Sequence, residues 1–413
     1  MTGWQQDAAA ILDVLPSRIH QVMDPFVAAT PDRTALIDDS ATLTYRELNR
    51  AVGETADALR GLGIRAGDRM MIVSENSIAL ACLLMAASRL DAWAIVANPR
   101  LSPRELDQIR DHSGVRRMLF TAKVSEEAAA HAVRYEAPER QVGPLCGIGV
   151  TAMNLATLPE PVEADGRNQV AVLIYTSGTT GVPKGVMLTH QNLLFSAKNT
   201  AELRSMTADD VQYCVLPISH IVGISLLTMT LMVGGVTRLV AKGNPAALAK
   251  ALAEEGVTLL NGVPATYQRL LEYKQLAGLP KLERGALRLM SVAGAPLDLE
   301  LKTRVEKELG LPLGNAFGIT ECSPGISGVR AGTPRDDNSV GTIVPGIEAR
   351  IVDRGGKVRA SDFARPHTAG AGLRGWLDSL PHILAANDLR AERRNVGNLF
   401  RPKHAPSLYT RLL

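Results

Sequence analysis

Apolar residues fall along this chain in short runs, each bounded by turn formers and followed by a stretch at helical spacing. Arg69–Val73 comes after the Gly67-Asp68 turn and predicts a buried strand. Ser74 to Ser77 offers caps for a helix from Ile78 to about Arg89, and 92–97 predicts a second strand. Ser102-Pro103-Arg104-Glu105 is a capping box with proline at the first helical position. The helix it opens runs to about His112 and stops at Gly114, ahead of a strand at 116–121. Strands separated by helices imply parallel pairing in a doubly wound sheet.

The same rhythm returns downstream. Strands are predicted at 211–216, 236–240, 259–262, 287–293 and 313–316, with helices at 221–233, 245–255, 264–274 and 297–309. The segment LPEPVEADGRN, 158–168, is rich in turn formers and acids and reads as a boundary. The expected fold is α/β: two doubly wound α/β subdomains packed together, over 1–165 and 166–335. From Cys214 to Thr237 there is no Lys, Arg, Asp or Glu, a length that would span a bilayer. Pro217, His220, Gly223, Gly234 and Gly235 interrupt it, so a buried strand, turn and helix is expected and no transmembrane segment.

Composition narrows the field. A chain of 413 residues suggests two or three domains. Aromatic residues are 4% of it, which predicts an aliphatic core and argues against a nucleic-acid partner bound by base stacking. The net charge of +3 is uneven: from Arg354 onward there are 11 basic and 4 acidic residues, against 34 and 38 before it. The basic surplus thus belongs to the tail. Cys82, Cys146, Cys214 and Cys322 are far apart and form no CxxC pair, so neither a zinc site nor a redox dithiol is expected. A reducing, cytoplasmic setting follows, and the N-terminus, with Asp7 and Asp13 and no basic region, does not read as a signal peptide.

The chemistry concentrates in Leu173 to Gly185, LIYTSGTTGVPKG. A buried strand at 170–175 runs into a loop whose glycines let successive N–H groups converge on an anion. Thr176, Ser177, Thr179 and Thr180 add hydroxyls around Gly178 and Gly181, and Lys184 adds a mobile positive charge. The set suits a triphosphate. It is not the Walker pattern, because Lys184 follows Pro183 and precedes Gly185. The alternative is a Ser/Thr/Gly surface linker, which would need neither the buried strand nor Lys184. A second glycine pattern, Gly147 to Ala152, fits the dinucleotide fingerprint but follows no strong strand and reads as a loop.

The segment from Leu173 to Lys184 resembles the signature loop of the adenylate-forming enzymes: acyl- and aryl-CoA ligases, adenylation domains of peptide synthetases, and firefly luciferase. Further segments resemble the family in its own order. These are Leu216 to Gly223 (acid pocket), Ala293-Gly294-Ala295-Pro296-Leu297 (beside adenine), Asn315 to Glu321 with Phe317 where Tyr is usual, and Val340 to Val352 at the entry to a β-barrel subdomain. The resemblance covers about 25–353.

The resemblance implies an ATP-dependent ligase that joins a carboxylate to AMP, releases pyrophosphate and passes the acyl group to coenzyme A. Thr176, Ser177, Gly178, Thr179, Thr180, Gly181 and Lys184 would hold the β- and γ-phosphates. Gly294, Ala295, Pro296, Asn315, Ala316, Phe317 and Gly318 would line the adenine site, with Phe317 stacking. Thr320 would donate to the α-phosphate and Glu321 would hold Mg²⁺, as suits a hard cation. Without the resemblance, Thr320-Glu321 reads first as a helix start with a dipole-favoured acid. His220 would stand at the mouth of the acid pocket, lined also by Ile221 and residues near Gly294 and Ala316; alone on an apolar stretch it would read as a core histidine. Residues 218–232 offer no acid to bind an amino group, which points to a fatty or aromatic acid rather than an amino acid. The resemblance leaves a homodimer open.

After Asp353 the pattern stops. The family's Gly-Glu-Leu and Thr-Gly-Asp motifs and its late lysine do not occur in 354–413. The expectation is an incomplete barrel beginning at 336–353, no C-terminal small α+β domain, and an irregular basic tail that reads as out-of-frame translation of a longer ligase gene. Three classes therefore compete: a truncated, impaired ligase, a pseudoenzyme that binds ATP or acid, and a product without function.

Overall fold

The computed structural model of the chain describes residues 8–176, 184–347 and 411–412. Within them the strand–helix alternation builds two sheets that share one layer of helices. In the first sheet, Arg69–Val73 lies between Trp93–Ala97 and Arg117–Thr121, all parallel. Val170–Thr176 joins Trp93–Ala97 in parallel and Lys184–Thr189 returns antiparallel along it. Arg411–Leu412 pairs with the outer edge of Lys184–Thr189. The second sheet has six parallel strands, in the order Leu313–Gly318, Leu289–Val292, Leu259–Gly262, Val211–Cys214, Val236–Leu239 and Thr34–Ile37. Antiparallel strands extend it at both ends: Thr42–Thr44 at one, and Gly325–Gly328 with Thr342–Ile343 at the other.

The period-two pattern of the strands decides what each face meets. Met70 and Ile72 point into the core between the sheets, while Met71 and Val73 pack under the helices of the opposite face. In the second sheet, Cys214 joins the shared core and Tyr213, Leu260 and Met290 face outward to Pro245–Glu254, Pro264–Leu276 and Leu299–Leu309. The shared layer contains Ile78–Arg89 and Ile221–Met232, both apolar nearly all round and buried nearly throughout. A helix without a polar face needs protein on every side, and the two sheets supply it. The uncharged stretch from Cys214 to Thr237 is thus a strand, a loop and a core helix. No helix among the described residues is long and apolar enough to cross a membrane.

Local signals set the element ends. Ser77 Oγ accepts from Leu80 N and starts Ile78–Arg89. The Ser102/Glu105 capping box opens Pro103–Ser113, and Gly114, at φ 58°, closes it in the left-handed region. Two expectations need correction. The sheets do not divide the chain near residue 165: Thr34–Ile37 belongs to the second sheet, and Val170–Thr176 belongs to the first. The Gly147 to Ala152 pattern is mostly strand, because Leu145–Val150 pairs with both Arg117–Thr121 and Glu139–Val142. Gly149 serves packing there, since a Cβ would stand 2.9 Å from Ala132 Cβ. The barrel entry after residue 347 and the tail at 354–410 lie outside the described residues.

Candidate functional site

The loop of interest hangs from a two-stranded root. Thr176 and Lys184 face each other in the pairing of Val170–Thr176 with Lys184–Thr189. Ser177, Gly178, Thr179, Thr180 and Gly181 lie between them, outside the described residues. Tyr175 braces the root. A Cβ on Gly185 would stand 3.2 Å from its ring, and its hydroxyl lies 2.9 Å from His112 Nδ1. Burial pushes the Tyr175 phenol up to about 12, so it stays protonated. No carboxylate among the described residues pairs with Lys184.

The strand order of the second sheet reverses between Val211–Cys214 and Leu259–Gly262. In an open α/β sheet the crevice beyond such strand ends is where ligands bind. Gly262 and Val292 end adjacent strands and stand in register with Asn315 inside the next, Leu313–Gly318. Gly294 makes the turn after the second of these at φ 81°, which a side chain would strain. Ala295 and Pro296 are exposed beside it. Asn315 is buried, and its Nδ2 donates to the Asn338 carbonyl at 2.7 Å. Ala316, Phe317 and Gly318 are half-buried on the antiparallel extension, where Phe317 opposes Ser327. Gly318 permits a tight approach: a Cβ would fall 2.0 Å from the Pro324 carbonyl.

Thr320 and Glu321 follow on the single turn Thr320–Cys322. This turn packs against Lys184–Thr189. The turn after Phe317 and the strand that starts at Lys184, far apart in sequence, are thereby neighbours. Burial, with Glu321 nearby, pushes the Cys322 thiol up to about 12, which leaves it protonated and unreactive.

His220 is the N-cap residue of Ile221–Met232. It is solvent-accessible yet surrounded by enough protein that desolvation lowers its pKa from the ordinary value. With its pKa held below the ordinary value, the imidazole is neutral at pH 7. The chain before it turns tightly: His220 N donates to the Pro217 carbonyl at 3.0 Å. Gly223 allows that turn to lie on the helix, since a Cβ would stand 2.2 Å from the same carbonyl.

Sequence reasoning passed over two groups. One is Asn76, whose amide reaches Cys214, Leu216 and Ile218. The other is a buried polar cluster near the strand ends. Arg204 Nε donates to Asn261 Oδ1 at 2.9 Å, Asn261 Nδ2 donates to Gln212 Oε1 at 2.6 Å, and the Ser291 hydroxyl bonds Asn261. Burial, with no carboxylate partner among the described residues, lowers Arg204 to about 10. Gln212, Asn261 and Ser291 are polar positions in three otherwise apolar strands, and that was the available signal. Asn76 gave none, because it sits in a segment that reads as a helix cap.

A family model described as AMP-binding enzyme matches residues 23–365, so the likeness runs past Asp353. Feruloyl-CoA synthase of Amycolatopsis sp. is 30% identical over 369 residues, covering 85% of this chain and 72% of that protein. The 4-coumarate–CoA ligase 5 of Oryza sativa subsp. japonica is 30% identical over 360 residues, 83% of this chain and 65% of that protein. The chain therefore spans between about two thirds and three quarters of the length of these relatives. Apo MatB from Rhodopseudomonas palustris shares the fold at a TM-score of 0.69 with 24% identity, over 86% of this chain and 69% of that one. The N-terminal domain of FACL13 from Mycobacterium tuberculosis shares it at 0.69 with 22% identity, over 83% of this chain and 86% of that one. Through the extent of the family match and its kinship with CoA ligases, the chain belongs to the AMP-binding enzyme family.

Proposed function

We propose that this site activates a carboxylic acid with ATP, forming an acyl-adenylate and pyrophosphate, and that the acyl group then passes to coenzyme A. The observation that carries the reading is the packing of the Thr320–Cys322 turn against the strand that starts at Lys184. In-line attack of a carboxylate on the α-phosphorus needs mainly positioning and neutralisation of phosphate charge. The residues present fit that need. Lys184 has no carboxylate partner among the described residues, and Gly294 leaves its side-chain space open except for Val263 at 3.8 Å. No group of three or more metal-ligating side chains occurs among the described residues. Glu321 would therefore share Mg²⁺ with phosphate oxygens, the usual manner for that ion.

In this reading Lys184, Thr176 and the loop residues Ser177, Gly178, Thr179, Thr180 and Gly181 hold the β- and γ-phosphates. Thr320 donates to the α-phosphate. Phe317, with Gly294, Ala295, Pro296, Asn315, Ala316 and Gly318, receives adenine. Neutral His220 faces the acid, and the apolar helix behind it favours an aromatic or fatty acid over an amino acid. The relatives' names carry feruloyl and 4-coumarate, which puts aromatic acids first. A cytoplasmic setting belongs to the same reading. A second reading, a protein that binds ATP or acid with impaired turnover, is favoured by the basic surplus in 354–413, where the family match ends at residue 365.

Acid-dependent ATP–pyrophosphate exchange tests the proposal. Exchange with aromatic or fatty acids and none with amino acids supports it. Mg-ATP binding without exchange selects the second reading, and exchange with amino acids alone overturns the substrate class.

A further inference from the structure

We infer that Asn76 is a positioning residue for the acid pocket, a strap from the first sheet that fixes the loop carrying His220. The inference rests on the reading of that pocket given above. Asn76 is 4% exposed and lies just beyond the end of Arg69–Val73. Its Nδ2 donates to the Cys214 carbonyl at 3.1 Å and the Leu216 carbonyl at 3.0 Å. Its Oδ1 accepts from Ile218 N at 2.8 Å. Both N–H groups and one oxygen lone pair of the amide are thus spent on a segment of the other sheet. That segment leaves the second sheet where its strand order reverses.

Both anchors of the strap are themselves fixed. On the side of Asn76, Ser77 Oγ caps Leu80 N at 3.1 Å and Asp38 Oδ2 accepts from Ile78 N at 2.8 Å. On the far side of the loop, Gly223 lets Pro217 and Ile218 sit against the helix. Between Cys214 and Ile221 there is no regular secondary structure, so loop position depends on these ties. Two polar groups follow the last strapped residue. They are the His220 imidazole and the Ser219 hydroxyl, which is buried and has no hydrogen-bond partner among the described residues. An unpaired buried hydroxyl is costly unless something meets it, and beside His220 a carboxylate would do so.

The strap separates from a general stabilising role by what its loss changes. In Asn76→Ala, amide hydrogen exchange over 214–220 should quicken about tenfold, as the loss of bonds of this kind implies. Exchange over 78–89 should stay as it is. With 4-coumarate as the probe acid, its Kd should rise about tenfold and that of Mg-ATP should not move. Asn76→Asp should be worse at pH 8, where a carboxylate faces two carbonyl oxygens. It should recover toward acid pH as a protonated carboxyl regains a donor, while the wild type shows no such recovery. Unchanged exchange over 214–220 in Asn76→Ala overturns the inference, and so does equal weakening of both ligands with loss of protection over 78–89. If wild-type protein binds 4-coumarate and Asn76→Ala binds it equally well, the inference also fails. If wild type binds no acid but the exchange changes as described, the strap stands and the acid-pocket reading falls.

Discussion

At the scale of single residues, Lys184 carries the strongest expectation. It begins Lys184–Thr189, opposite Thr176 at the root of the loop, with Thr320 and Glu321 packed near the same strand. A charge-assisted contact to phosphate contributes about 1.5–3 kcal/mol. Lys184→Ala should weaken Mg-ATP binding about tenfold or more and leave the melting temperature unchanged. Fluorescence titration with a nucleotide analogue checks the first, and calorimetry the second. A different residue-scale test concerns acid. Burial lowers His20 to about 4 and His190 to about 3. An unfolded imidazole titrates near 6.5, so the unfolded chain binds more protons below that pH. The stability from keeping these rings neutral is fully present above about pH 6.5 and lost as pH falls toward the folded-state values. For His190 alone the loss between pH 6.5 and 5 is about 2 kcal/mol. His190→Asn keeps an acceptor for Ile19 N, which now donates to His190 Nδ1 at 3.3 Å. Urea midpoints at the two pH values should converge in that variant relative to wild type. An equally steep dependence would remove His190 from the account.

At the scale of elements, the end of Val211–Cys214 and the start of Ile221–Met232 form one unit with the turn between them. Gly223 is its tightest point, with no space for a Cβ near the Pro217 carbonyl. Gly223→Ala must displace the turn or the helix, and overpacking of this kind costs about 1–3 kcal/mol. The urea midpoint should drop, and the acid Kd should rise more than that of Mg-ATP. A fall in midpoint with both affinities intact would show that the turn does not shape the pocket. This scale also shows what was legible. Ser77, the Ser102/Glu105 box, Gly114 and Pro264 mark element ends within a residue or two, because caps and φ constraints act locally. Partners were not legible. Thr34–Ile37 pairs with Val236–Leu239, and Val170–Thr176 turns back to the first sheet. A period of two tells which face of a strand is buried, not which strand lies beside it.

At the scale of the whole molecule, the shared helical layer makes the two sheets one folding unit with a core drawn from both. A ligand bound between their strand ends should stabilise all of it. At a hundredfold excess over Kd, that linkage contributes about 2.7 kcal/mol. Thermal melts with aromatic or fatty acids should shift upward, and melts with amino acids should not. A shift with amino acids alone would reverse the substrate class. The site was legible as chemistry in one place, the loop with Lys184, because glycines, hydroxyls and a lysine after a buried strand have a physical reading of their own. Thr320, Glu321 and His220 each had an ordinary structural reading in isolation. Resemblance to a family is what proposes them as site residues, and the turn that carries Thr320 and Glu321 packs against the strand that starts at Lys184. Asn76 and Arg204 act across long sequence separations, and nothing local marked them.

The central claim is that Lys184 and Glu321, from different sheets, serve one Mg-ATP site. Titration calorimetry on the full chain, on Lys184→Ala, on Glu321→Gln and on the double variant tests it most directly. The account predicts saturable Mg-ATP binding by wild type, weaker binding by each single variant, and a double variant whose loss departs from the sum of the two. Loss of the Mg²⁺ dependence should appear only where Glu321 is changed. Wild-type protein that binds no Mg-ATP, or affinities untouched by either substitution in folded protein, would contradict it.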